Sequence, residues 1–407
     1  MTALAAHLRV GDRIFVSGSS NEPSGLLAAL KTLDLPANLH FIQFPIAGYN
    51  GEDFTAWQPT FEQTTFFMTP ALRRAAPSRL HFQPMQMRHV YDYLANGVDV
   101  VLTQAAPDHH GELRFGPNVD FLQAAMQSAR VVIIEVNAAV VAPAGGLAVD
   151  RDLVTTILET ERTPHYAPPA TIDDVSRRIG QQVASLVRDG DCLQTGIGAI
   201  PAAILDALGD RNDLGLHGGL IDDGGMALIK RGVVTGRRKS IDANQHITGM
   251  ALGSAQLYEW LANEPRVVFR GANYTHELSI LRTIDNFVSV NSAVEIDLFG
   301  QVNAEFAAGR QLSGTGGAVD FMRGARASRG GRSIVALPAT AKDGEVSRIV
   351  TKVELVTAAR TDVDIIVTEF GIAHLRDRST KDRAAALIEI AAPQFRDALR
   401  EQAHAIS

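Results

Sequence analysis

The sequence contains one cysteine, Cys192, so no internal disulfide can form and a metal site built from several thiolates is excluded. A lone thiol also suits a reducing compartment. Positive charge is in deficit: 38 Lys and Arg stand against 45 Asp and Glu, a formal net charge of -7. A chain with that balance has no excess field to neutralise a nucleic-acid backbone, and no nucleic-acid partner is expected. Small anions stay open as ligands, because a few backbone N–H groups and one or two arginines suffice to hold one. Long apolar runs are missing as well. No stretch of about 18 apolar residues occurs, and the opening MTALAAHLRVGDRIFVSG has no basic segment leading into an apolar one. No membrane partner and a cytoplasmic location are the expectations.

What is present is a globular composition, 46% hydrophobic and 20% charged over 407 residues, enough for two or three domain cores and far from the signature of disorder. Short β-rich apolar runs alternate with helical patterns, which argues for parallel sheets with crossover helices. RIFVSGSS, from Arg13 to Ser20, reads as a strand followed by the helix PSGLLAALKTL, and Val98–Leu102 and Val131–Val136 read as further buried strands. The segment ERTPHYAPPA, from Glu161 to Ala170, carries three prolines and reads as a linker. Beyond it Thr171 is the expected N-cap, with Asp174 three residues on, of a helix whose apolar positions are Ile172, Val175, Ile179, Val183 and Leu186. In the second half we expect strands at Leu193–Thr195, Leu214–His217, His246–Leu252, Val267–Arg270, Phe287–Val290, Ser333–Leu337 and Val363–Thr368. Helices are expected at Ile200–Leu208, Ala255–Leu261 and Lys381–Ala391. The two halves echo each other weakly, each opening with a strand that runs into a glycine-bearing turn.

Three such turns are candidate sites. In Thr195-Gly196-Ile197-Gly198-Ala199-Ile200-Pro201 a strand meets a helix start, so backbone N–H groups can point at an anion or an oxyanion. Pro201 stands where a dinucleotide fingerprint needs its third glycine, which argues against a nicotinamide cofactor; a tight turn without a ligand is the plain alternative. Leu312 to Phe321 holds Gly314, Gly316 and Gly317 around Thr315, leaving backbone uncovered for a thioester, a pyrophosphate or a close chain crossing. The third, GLHGGLIDDGG from Gly215 to Gly225, carries Asp222 and Asp223. His109 and His110 imitate a metal cluster, but adjacent histidines on a short loop diverge and no second ligand group accompanies them, so no metal is expected. No G-x-S-x-G elbow occurs, and Cys192 in its apolar run reads as core.

A longer set of stretches belongs together: Pro107-Asp108 with Gly111, Glu135-Val136-Asn137, Leu193 to Pro201, Asn291 to Leu298 with Gly300 to Asn303, Ser313 to Gly317 with Asp320-Phe321, Arg323-Gly324-Ala325, Ser347-Arg348-Ile349, and Val367 to Gly371. They cover most of the chain and resemble the acetyl-CoA hydrolase/transferase and 4-hydroxybutyrate CoA-transferase group of class I CoA-transferases. The resemblance implies two similar open α/β domains, here 1-165 and 171-407, with the active site between them and coenzyme A, as substrate and product, bound largely by the second. It implies a glutamate that attacks an acyl-CoA and passes through an anhydride and an enzyme-CoA thioester to a small carboxylate. Oxyanion and CoA contacts fall on Gly196, Gly198, Ile200, Asn291, Gly314, Thr315, Gly316 and Gly317. The nucleophile itself departs from the pattern: His217-Gly218-Gly219-Leu220-Ile221-Asp222-Asp223 puts Gly219 at the glutamate position. Asp222 is then the candidate base for water, while Glu295 and Glu369 belong to ordinary family motifs and read as structural carboxylates. Three outcomes follow: thioester transfer or hydrolysis without the usual glutamate, a CoA-binding homologue that has lost activity, or a different carbonyl reaction. A homodimer is expected, that being the commonest soluble oligomer.

Overall fold

The computed structural model of the chain describes residues 2–403. They divide into two compact units, the first made of the residues up to Pro168 with Ile221–Asp223 and Ile247–Thr275, the second of Pro169–Leu220, Gly224–His246 and His276 onward.

The first unit is built on a nine-stranded sheet. Leu80–Phe82, Glu62–Thr65, His40–Gln43, Arg13–Val16, Val100–Pro107, Val131–Asn137 and Thr156–Thr160 lie side by side in that order, all parallel. Leu113–Phe115 and Leu147–Ala148 add an antiparallel margin. The strands at 100–107 and 131–137 are buried at nearly every position, and each opens on a continuous apolar run, Val100–Leu102 and Val131–Ile134. The strand Glu62–Thr65 has no such run, yet its last three residues are buried. Some of its polar groups are matched internally: the Phe54 N–H donates to Gln63 Oε1 at 3.0 Å, and Thr64 Oγ1 meets His40 Nε2 at 2.7 Å. Phe41 and Phe54 stack at 4.4 Å between ring centres within a core that includes Ile14, Leu26 and Phe61. Glu135, fully buried, accepts from the Leu26 N–H at 2.9 Å, Thr160 Oγ1 at 2.8 Å and Arg162 Nε at 2.5 Å, so its charge is held by three donors.

Two carboxyl groups of this unit give it a pH dependence. Asp120 is 2% exposed, its Oδ1 has no hydrogen-bond partner among the described residues, and burial pushes it up to about 8. Burial likewise lifts Glu22 to about 7, outweighing the bond from Gln43. Both values lie above the ordinary carboxyl range near 4, so the folded chain keeps protons that the unfolded chain releases. Their contribution is complete below about pH 4 and is lost as pH rises through the 7 to 8 region. Asp120→Asn should therefore be more stable than the parent at about pH 8.5, with the gap closing toward pH 5; urea midpoints at both pH values check this, and a gap independent of pH contradicts it.

The second unit carries a six-stranded sheet. Gly215–Leu216, Cys192–Gln194, Phe287–Ser292, Arg332–Ala336 and Ile365–Thr368 run parallel, and Gly371–His374 closes the edge antiparallel. The helix expected after the linker is present at Asp174–Ser185, but its N-cap is Asp173 and not Thr171. Asp173 stands directly before the first turn and its carboxylate accepts the Ser176 N–H at 2.7 Å, a bond that Thr171, two residues further out, is placed too early to make. The segments expected as strands at 246–252 and 267–270 are the short strands His246–Thr248, Met250–Ala251 and Val267–Phe269, all outside the six-stranded sheet.

Candidate functional site

In an open parallel sheet the chain ends of the strands that carry loops are where ligand-binding groups collect. In the second unit Cys192–Gln194 runs into the turn at 195–198 and the helix Ala199–Asp206, with Ile200 half-buried in its first turn. Gly198 is the residue before that helix and has φ 116, a conformation that a side chain strains. Around both Gly196 and Gly198 a Cβ would meet nothing within 4 Å, so the backbone is open to an approaching group. Asn291, near the end of Phe287–Ser292, donates through Nδ2 to Gln194 Oε1 at 3.3 Å, and the Gln194 side chain lies 3.2 Å from where a Cβ on Gly218 would stand.

The strand Gly215–Leu216 delivers Gly219 to the same edge, where it is buried. A Cβ on Gly219 would come to 3.0 Å of His276 Cε1 and 3.1 Å of Nε2. A Cβ on Gly317 would come to 2.3 Å of the same Nε2 and 2.4 Å of Cδ2. One imidazole ring thus lies against both glycines. Its centre is 4.3 Å from that of Phe321, which packs with Cys192, Leu281, Ile284, Phe287 and Ala325 in a small core cluster. Burial lowers the His276 pKa to about 3, so the ring is neutral at any ordinary working pH. Gly317 also opens the helix Ala318–Ala327, accepting the Phe321 N–H at 3.1 Å, while Gly316 before it has φ 53. Gly314 is buried and Thr315 half-buried in that loop.

The structure therefore brings Gly219 and Gly317 to one ring, and Asn291 to the same sheet edge through Gln194. Asp222 is half-buried and is grouped with Ile221 and Asp223 in the first unit. Asp223 is committed to Ser254, accepting its N–H at 3.0 Å and its hydroxyl at 2.5 Å. Glu295 accepts from Asn303 Nδ2 at 3.0 Å and the Glu354 N–H at 3.1 Å, and Glu369 accepts the Ala339 N–H at 2.8 Å, roles that hold loops in place. Cys192 is buried, which pushes its thiol up to about 11 and removes it as a nucleophile. His109 and His110 are exposed on a turn organised by Asp108, which accepts the His110 N–H at 2.8 Å and Arg114 Nε at 2.7 Å. Among the described residues no three or more His, Cys, Asp or Glu are grouped to hold a metal ion. His276 was not singled out from the sequence. Its loop, YTHEL, has no motif, and its proximity to Gly219 and Gly317 is a product of the fold alone.

Family models match both parts of the chain: the acetyl-CoA hydrolase/transferase N-terminal domain over residues 1–154 and the C-terminal domain over residues 253–403. A 4-hydroxybutyrate coenzyme A transferase of Clostridium kluyveri is 35% identical over 399 residues, 96% of this chain and 93% of the relative. A butyryl-CoA:acetate CoA-transferase of Anaerostipes caccae is 37% identical over 81% of this chain and 76% of its own length. Among solved structures, RipA from Yersinia pestis superposes with a TM-score of 0.92 at 32% identity, over 100% of this chain and 96% of its own. With the two-unit fold, matched domains and full-length similarity in agreement, the chain belongs to the acetyl-CoA hydrolase/transferase family.

Proposed function

We propose that this chain acts on the thioester of a short-chain acyl-CoA, passing CoA to a small carboxylate or releasing it to water, with Gly219 at the position of the family's attacking glutamate. The observation that carries the reading is the meeting of Gly219 and Gly317 on one buried ring at the loop-bearing edge of the second unit's sheet. Coenzyme A enters as substrate and leaves as product. Gly314, Thr315, Gly316 and Gly317, with the open turn at Gly196, Gly198 and Ile200 and with Asn291, are the groups assigned to the thioester end. Amide donors of this kind stabilise a tetrahedral oxyanion by about 3–4 kcal/mol each where well placed. A glycine supplies no carboxylate, so neither an acyl-glutamyl anhydride nor a glutamyl-CoA thioester forms at 219. The buried lone thiol supports a reducing, cytoplasmic setting, and a homodimer completes the reading on general grounds.

The test is direct. Purified protein is mixed with acetyl-CoA, butyryl-CoA and succinyl-CoA, with and without acetate, while free thiol and acyl-CoA products are followed by mass spectrometry. Thiol release or acyl exchange is expected, with no CoA attached to the protein. Tight CoA binding with no turnover would instead favour a binding protein, and neither binding nor turnover would end both readings.

A further inference from the structure

Two neighbouring strands of the second unit's sheet pass from core to open edge at the same level. On Cys192–Gln194 burial ends at Gln194, and from Thr195 the chain is partly or fully exposed; on Phe287–Ser292 burial ends at Asn291, and Ser292 is exposed. The parallel register sets Gln194 opposite Ser289, so Asn291, two residues on, shares that face one step nearer the loop-bearing end. There the two amides meet. Asn291, 9% exposed, donates through Nδ2 to Oε1 of Gln194, 4% exposed, at 3.3 Å, and its side chain makes no other hydrogen bond among the described residues. A primary amide has donors on one arm and an acceptor on the other, and a half-turn about χ2 exchanges them with almost no change of shape. The Gln194 oxygen removes that ambiguity, since it repels an oxygen and holds the Nδ2 arm. That arm carries two N–H groups, of which Gln194 takes one. On its other side Gln194 lies against Gly218, where a Cβ would come to 3.2 Å of Gln194 Cγ and 3.6 Å of its Cβ. A bare backbone at 218 thus gives the glutamine side chain its room.

We propose that Gln194 is a positioning residue for the thioester reaction: by accepting one Asn291 N–H it fixes the carboxamide so that the second N–H is kept for the oxygen of the bound thioester. The inference rests on the assignment of Asn291 to the thioester end. Gln194 itself touches no substrate and moves no proton. Its contribution is made before the reaction starts, because a donor already oriented needs no reorganisation when the oxygen gains charge.

A double-substitution cycle read in kcat on the best acyl-CoA tests this. Asn291→Ala should lose ~10²–10³-fold, the cost of one oxyanion donor. Gln194→Met, nearly isosteric but without an acceptor, should lose ~10–10²-fold, as the loss of an orienting partner behind a ligating group does. Gln194→Asn, whose amide stops one methylene short, should fall with it, and it completes the cycle if urea midpoints show the Met variant unfolded. Joined to Asn291→Ala, either Gln194 substitution should cost no more than about a further twofold, because no carboxamide is left to orient. All variants should keep the parent's affinity for CoA, titrated calorimetrically with CoA itself. Losses that multiply in the double variants overturn the proposal, since Gln194 would then act independently of Asn291. Gln194 variants at the parent rate overturn it too, as does a rate loss matched by lost CoA affinity, which would assign the residue to structure. Asn291→Ala at the parent rate, or a parent that turns over no acyl-CoA, removes the reading beneath the proposal and takes the proposal with it; both are distinct from a failed cycle in an active parent.

Discussion

Mixed with acetyl-CoA, the Gly219→Glu protein should carry no covalently attached CoA, whereas the Gly219→Glu/His276→Ala protein should. The Cβ of residue 219 falls 3.0 Å from His276 Cε1, already tight, and the rest of a glutamate side chain must enter the volume that the ring fills. Phe321, with its ring centre 4.3 Å away, confines the ring on that side, and forcing the extra atoms in costs about 1–3 kcal/mol. Truncating the ring to a methyl group opens that volume. The carboxylate can then bond to the thioester carbon and expel CoA thiolate, which returns to the glutamyl carbonyl to leave a protein-CoA thioester and acetate. Intact-protein mass spectrometry reads the adduct. Its appearance in the single variant would show that the ring gives way, and its absence from a folded, CoA-binding double variant would remove residue 219 from the nucleophile's position.

Gly317→Val should lower kcat/KM by on the order of 10²-fold or more, the penalty associated with displacing a site by about 1 Å. The backbone of Gly317 lies at φ -95 and ψ 4, which L-residues tolerate, so the effect is steric and not conformational. A Cβ there falls 2.3 Å from His276 Nε2 and 3.2 Å from Phe321 Cε2; either the ring or the loop must move. Gly196→Ala is the matched control, since its Cβ meets nothing within 4 Å. Its stability should stay within about 0.5 kcal/mol of the parent, so that any loss of activity reports a ligand and not the fold. Steady-state kinetics with acetyl-CoA and urea midpoints of both variants separate the two effects. A Gly317→Val protein with parental kinetics would show that the loop does not need the close approach.

The architecture was legible where burial is written in side-chain chemistry. The runs Val98–Leu102 and Val131–Val136 announce the strands Val100–Pro107 and Val131–Asn137, the first of which continues through Thr103 and Gln104 where no apolar run marks it, and the helix Ala255–Leu261 stands where it was expected. Glu62–Thr65 was silent because its buried side chains are polar, with Gln63 accepting the Phe54 N–H and Thr64 paired with His40, and present no apolar run. The Asp173 cap was missed by two positions, since Thr171 and Asp173 offer the same kind of oxygen and only the chain's path decides which meets the first free N–H. For the site, the glycines were readable because they mark where backbone must stay bare. The ring that requires them bare was not, because His276 lies far along the chain from Gly219 and nothing in its own neighbours signals the encounter.

Because the first unit reclaims Ile221–Asp223 and Ile247–Thr275 from within the second half, the protein is divisible in space but not in sequence. A cut in the proline-bearing stretch at 161–170 yields no piece that owns a whole unit: the leading fragment lacks segments that complete its fold, and the trailing one carries them as unsupported passengers.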